Sequence, residues 1–569
     1  MWSDSRAILG ALLLAAAAPS SAATAAPQSL AQASVAPSAT PAELTGLFAD
    51  WRRFVQPPIH EGVPDYGPAA MAQKAAALPL YRARLAAIDR TGWPQSALDD
   101  YRLVQAEMNG FDFSFRVLQP WARDPGFYQT IFGEESDVPA HEGPSASPTI
   151  DLFKLAWPLS RGDDRRLAAL LGGVPAMLAQ ARMNLAGSNA GDLWRYGDRT
   201  FNEQGEVLGK LEDGTLVMRT LEGKVSASLA GASPALRRAV RDARTATDAF
   251  AAWIVAQAPG KTGPSGVGKA NYDWYAANVE LSPYNWDQQA ILLQRELDRA
   301  LASLRLEELR NRKLPAIDPV ADPAAYRAMA EAKTRRFNDF LVETGLMPDK
   351  PYFRAAMAAQ TSSYIPPAEQ DFFGHGSALD PLPLLSHSSH WIELARLKHE
   401  PRSSPIRQVP PLFNIYADRS EGFATAMEEL LMQAGLYDDI PRAREIVWIM
   451  LANRAARGLA SLHVQANQIG LAEAGRFHAE WTPRHWSNAD SKLVGFEQLL
   501  YLRQPGYGPS YILGKMQLDH LIATASHEAD LAGRPFVMGD VFARIMAPGI
   551  VPPVLIMDEM AGPAATPGQ

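Results

Sequence analysis

The 569-residue chain contains no cysteine. That absence excludes disulfide frameworks, thiolate zinc sites, iron–sulfur clusters and cysteine nucleophiles together. It also excludes lipid attachment through a cysteine, and it does not separate an oxidising from a reducing compartment. Positive charge is in short supply. Lys and Arg total 54 against 62 Asp and Glu, a net charge of −8, so there is no basic footprint for nucleic acid. Long apolar runs are missing beyond the N-terminus, and the mean hydropathy of −0.15 argues against a polytopic membrane protein. Histidine is sparse, at 11 residues, and H-E-x-x-H occurs nowhere. The usual helix-borne pair of zinc ligands with an adjacent general base is therefore absent.

What is present begins with an address. Ala7 to Ala18 is an unbroken apolar run, ended by Pro19 and followed by small residues that fit a cleavage site at Ser21-Ala22-Ala23 or Ala23-Thr24-Ala25. The pattern predicts a secretory signal peptide over 1–25, too short to span a bilayer comfortably. A flexible Ala/Pro/Ser/Gln-rich lead over 26–42 should follow. The mature chain is then exported, to a periplasm, with no membrane span. Apolar residues at three-four spacing predict a mainly α protein. Helices are expected over 41–55, 78–89, 96–115 with Ser96 as N-cap, 233–256, 282–312 from Ser282-Pro283, 324–345, 388–398, 419–435, 441–468 and 510–532. Residues 194–230, punctuated by Gly, Asp and Asn, predict a small β-hairpin insertion or irregular arm.

Gly263 to Ala270 imitates a phosphate loop, G-x-x-x-x-G-K-A. The chemistry requires a Ser or Thr hydroxyl where Ala270 stands, and a strand before the loop where a helix is expected. No nucleotide is therefore expected. A better candidate is His387-Ser388-Ser389-His390, two imidazoles at i, i+3 on one helix face, upstream of Glu421-Gly422-Phe423. Two His and a Glu are one way to build a three-ligand zinc site with an open fourth position. A pair of half-buried histidines with no metal is the plainer reading.

The order of several short segments resembles a bacterial family, domain of unknown function 885. The segments are Phe48-Ala49-Asp50-Trp51, Leu85 to Asp89, Pro120-Trp121 with Asp124-Pro125, Asn271 to Tyr275 with Leu281-Ser282-Pro283, Gln294 to Leu297, Ser420 to Phe423, Arg454 to Arg457, and Pro505 with Ser510-Tyr511 and Gly514-Lys515. The resemblance implies a large helical, zincin-like, metallopeptidase-like body over 43–557. It would have lobes at about 43–313 and 324–557, a groove between them, and a disordered tail at 558–569. It also implies a site in which Glu421, His390, Arg457 and Tyr511 are catalytic and Tyr275, Trp286, His387 and Lys515 contact substrate.

The departures bear on the metal. The family's H-E-G-x-P-G-H-H-x-Q keeps only the His at 390; its first His and Glu fall on Leu384 and Leu385. Its supporting Asp and His fall on Ser461 and Gln465. Ligands and the groups that orient them act together. The expected reading is thus a groove that binds or acts on a small peptide-like or polar ligand without tightly bound zinc and without another cofactor, as a hydrolase or a metal-independent lyase. One alternative is an active zinc hydrolase with rearranged ligands His387, His390 and Glu421. The other is a non-catalytic binding protein.

Overall fold

Helix signals set the architecture. The computed structural model describes residues 40–141 and 147–561, all belonging to one compact unit. The expected signal peptide, most of the lead and the end of the tail lie outside the described residues. The protein is mainly α; among the described residues, strands occur in three two-stranded sheets. The last helix, Pro553–Ala561, runs into the segment expected as tail.

Two apolar cores organise the body. The smaller joins Leu167, Leu171, Phe201, Leu208, Leu236 and Phe250. They come from helices Arg161–Gly172, Asp198–Asp213 and Pro234–Gln257. The larger gathers the N-terminal helix Ala42–Val55 and the long helix Trp286–Arg310 around the C-terminal helices. At its centre runs Ala443–Gln465, buried on every side from Glu445 to Leu462. A helix apolar or buried all round belongs in the middle of a large core. That placement buries Arg454 and Arg457 and demands partners for both.

Several boundaries differ from the sequence reading for local reasons. The hairpin appears as Leu216–Thr220 paired antiparallel with Gly223–Ala227, but Asp198–Asp213 is a helix, not an irregular arm. Phe201, Gln204, Gly205, Leu208 and Leu211 form its buried stripe, and Gly205 and Gly209 are the places where Asp248 and Arg244 press against it. Glycine there signals close approach, not a turn. The 286–310 helix starts after Asn285, not at Ser282. Asn285 accepts from the Gln288 backbone at 3.0 Å and Gln288 Oε1 accepts from the Asn285 backbone at 3.0 Å, a complete capping box. Likewise Pro94, not Ser96, precedes the helix Gln95–Phe113. Lys269–Tyr275 is a short helix. The pseudo-phosphate loop before it follows helical structure, and Gly266 donates to Asn467 at 2.9 Å, so the loop is a strap on the end of the central helix.

Candidate functional site

His387 and His390 do not share one helix. Leu382–His387 ends at the first and His390–His399 begins with the second, with Ser388-Ser389 turning the chain between them. The turn brings the rings to 4.9 Å, nearly perpendicular. Both face Glu421, in the second turn of Ala417–Gln433. Glu421 Oε2 lies 3.1 Å from His390 Nε2 and 3.6 Å from His387 Nε2. Among the described residues these three form the cluster able to hold a metal ion, each donor atom within 4.8 Å of the others.

A supporting layer surrounds them. Glu421 Oε1 accepts from the Tyr507 hydroxyl at 2.5 Å. His390 Nδ1 lies 3.3 Å from Ser420 Oγ. His387 Nδ1 lies 2.9 Å from Glu428 Oε1, a charge contact without hydrogen-bond alignment. Glu428 is fixed in turn by Arg454, at 2.6 and 3.1 Å. The ring of Tyr511 runs nearly parallel to that of His387, 6.1 Å away, and the Arg457 guanidinium sits 4.3 Å from the Tyr511 ring. Arg457 pairs with buried Glu497.

The electrostatics favour positive charge at this point. Burial pushes the Glu421 carboxyl up, but the His390 and His387 imidazoles outweigh it and hold the group well below the usual carboxylate range. Burial pulls His390 down, and the same carboxylate reverses the direction, raising it.

His390, His387, Glu421, Tyr511 and Arg457 therefore come together, and Tyr275, Trp286 and Lys515 lie elsewhere. Trp286 donates to the Leu462 carbonyl at 2.9 Å in the core. Lys515 joins Glu429 at 3.1 Å and Asp519 at 2.8 Å in a separate polar network. Tyr275 borders another cavity and donates to the Phe413 carbonyl at 2.7 Å. Ser461 and Gln465, where the resemblance would place Asp and His, are structural. Gln465 Nε2 donates to the carbonyls of Tyr501 and Leu502, at 2.8 and 3.0 Å. Glu428, Arg454 and Tyr507 were missed as site residues. Helical spacing could have found them: Glu428 is seven residues past Glu421, and Tyr507 four before Tyr511.

One helical turn before Glu421, Asp418 is buried and accepts from Gln517 at 2.7 Å. Burial raises its carboxyl from an ordinary 3.8 to about 7, and the buried Glu280 beside it is raised as well, by burial and by Asp418. A carboxyl raised in the folded state binds its proton more tightly there, so stability falls as pH climbs between those two values. Asp418→Asn is expected to raise the melting temperature at pH about 8 and to leave it unchanged near pH 4, where both forms are neutral. Thermal unfolding across pH checks this; equal shifts at both ends would contradict it.

No family model and no curated protein matches this sequence. Solved structures share the fold, among them the following two. One, described as "a putative lipoprotein of unknown function from Shewanella oneidensis", superposes with TM-score 0.62 at 11% identity, covering 91% of this chain and 98% of that one. The other, from Colwellia psychrerythraea and described in similar terms, gives TM-score 0.61 at 13% identity over 91% and 95%. At such identities the likeness is one of fold alone. Among the described residues no helix is long and apolar enough to cross a membrane.

Proposed function

We propose that this protein is an exported, metal-dependent hydrolase of the domain of unknown function 885 type, acting on a small peptide-like substrate. Its metal would be held by His387, His390 and Glu421. The observation that carries this reading is the position of His387. Its Nε2 faces Glu421 while its Nδ1 meets a carboxylate, the carboxylate–histidine arrangement that orients a zinc ligand. The expectation of a groove without tightly bound zinc rested on a missing ligand and missing support. In the present reading the local turn at Ser388-Ser389 would supply the ligand, and Glu428, Arg454, Ser420 and Tyr507 would supply the support. Separations of 3.1 and 3.6 Å between donors suit the edges of a tetrahedron with bonds of about 2.0–2.2 Å.

A bound divalent ion supplies Lewis acidity to a substrate carbonyl and acidity to a coordinated water. The chain's own groups prepare for it. Glu428 places negative charge beside His387 Nδ1, on the side of the ring away from Glu421, and Nε2 is left toward Glu421. Tyr507 holds Glu421 Oε1, so that Oε2 faces the imidazoles. Tyr511, against His387 and Arg457, is placed to stabilise negative charge developing on a substrate oxygen. A second reading, a binding protein without turnover, draws support from Leu385, which stands where the family carries its base, and from burial, since His390 and Glu421 are each 3% exposed.

Metal analysis of the purified protein tests the proposal. About one equivalent of zinc is expected, falling below a tenth in His387→Ala, with hydrolysis of short peptides lost to a chelator and restored by zinc. Metal uptake without turnover selects the second reading. No uptake, even when zinc is added to stripped protein, removes the metal from both.

A further inference from the structure

A cavity of about 110 Å³, away from the histidine cluster, is lined among others by Phe111, Phe115, Trp121, Phe127, Tyr275 and Phe413. Three features separate it from ordinary core. The first is backbone. The π-helices Ser114–Leu118 and Ala276–Glu280 lie beside it, each ended by a left-handed non-glycine residue, Gln119 and Leu281. Phe413 and Asn414, both in its wall, are consecutive left-handed residues with φ of 58° and 57°. π-bulges and strained residues gather at functional sites because a fold without such a need relaxes them away.

The second feature is charge. Lys74 and Arg123 line the cavity, and among the described residues neither forms an ion pair. Lys74 donates to the Phe54 carbonyl and lies 4.6 Å from the Phe54 ring centroid. Arg123 donates to the carbonyls of Val117, Leu118, Pro264 and Ser265 at 3.3 to 3.5 Å. The lining acid, Asp124, is already taken by Arg503 at 2.7 Å. Two cations thus face an aromatic cavity with no anion of their own, and burial draws Lys74 down to about 8. The third feature is Gln504, a lining residue 3% exposed whose Oε1 and Nε2 both lack a hydrogen-bond partner among the described residues. A buried unpaired amide is costly and calls for a ligand that satisfies it.

We propose that this cavity is a binding site for a small aromatic carboxylate, its ring among the aromatic side chains and its carboxylate against Lys74, Arg123 and Gln504. The wall decides the body: aromatic rings from Phe111, Phe115, Trp121, Phe127, Tyr275 and Phe413 suit a single aromatic ring better than a long acyl chain. The inference stands independently of the metal reading.

Calorimetry on the mature chain tests it with 3-phenylpropionate, the neutral 3-phenylpropanol and decanoate. The aromatic acid is expected to bind at least about tenfold more tightly than the alcohol, and decanoate no better than the alcohol. Lys74→Met should remove the preference for the acid and leave the alcohol's affinity unchanged. Leu118→Trp, which fills the cavity, should abolish binding of both, with the melting temperature reporting an intact fold. A carboxylate can also find a metal, so the titration is repeated with chelator and in His387→Ala, where affinity should hold. Equal affinity for acid and alcohol, tighter binding of decanoate, or loss of binding in His387→Ala would each overturn the proposal. So would the absence of binding by the parent protein, which needs no variant to fold.

Discussion

Arg454→Met should destabilise the protein by about 3–5 kcal/mol, because it strands a buried carboxylate. Glu428 is 1% exposed, and Arg454, on the central helix, supplies the two permanently charged contacts beside that of His387. Methionine nearly fills the volume, so the loss is electrostatic and not a cavity. The Arg454–Glu428 pair itself adds little, since burial costs both partners; the guanidinium is already drawn down by burial. The double variant Arg454→Met with Glu428→Gln should therefore recover most of the loss. Metal uptake should separate the two. The single variant leaves Glu428 free to hold His387 Nδ1, whereas the double variant loses the acidic partner and should bind metal about 10- to 100-fold more weakly. Urea unfolding and zinc titration of the three proteins check both halves. A loss under about 1 kcal/mol in the single variant would mean that Glu428 does not depend on Arg454.

Most of the fold was legible because helices announce themselves by period and caps. The helix expected from 233 is Pro234–Gln257, with Ser233 as its N-cap accepting from the Leu236 backbone at 3.1 Å. Legibility failed where a residue type has two meanings. Glycines in the 194–230 stretch read as turn formers, yet Gly205 and Gly209 are helix positions crowded by Asp248 and Arg244 from the neighbouring helix. No local pattern carries that information. At the site, Glu421, His387 and His390 were legible as chemistry-bearing types in a short span. Their geometry was not, since it depends on a two-serine turn between helices. The supporting groups come from helix faces separated in sequence, and Arg457 shows the consequence. Expected as a catalytic residue, it is paired with Glu497 from the helix Lys492–Arg503.

Gly514→Ala is expected to cost about 3 kcal/mol and to damage the site at a distance, although alanine is the better helix former by about 1 kcal/mol. Tyr507–Leu531 crosses Ala417–Gln433 where Gly514 meets Gly422. A Cβ on Gly514 would lie 1.8 Å from the Asp418 carbonyl oxygen and 2.8 Å from the Gly422 Cα. A Cβ on Gly422 would lie 2.3 Å from the Gly514 Cα. These are backbone atoms, so no side chain can swing aside and the helices must separate. Tyr507 and Glu421 sit on opposite sides of that crossing, joined at 2.5 Å, and a separation of a few tenths of an ångström or more weakens the bond that orients Glu421. Zinc affinity should therefore fall at least about tenfold together with stability. Gly46 provides the contrast. It lies in the exposed face of Ala42–Val55 with nothing within 4 Å of its notional Cβ. Gly46→Ala should stabilise by up to about 1 kcal/mol through helix propensity and leave zinc affinity untouched. The same substitution then has opposite signs at two helical glycines, decided by what each Cβ meets. If Gly514→Ala instead behaves like Gly46→Ala, the two helices do not approach as closely as the site requires, and the placement of Tyr507 against Glu421 fails with it.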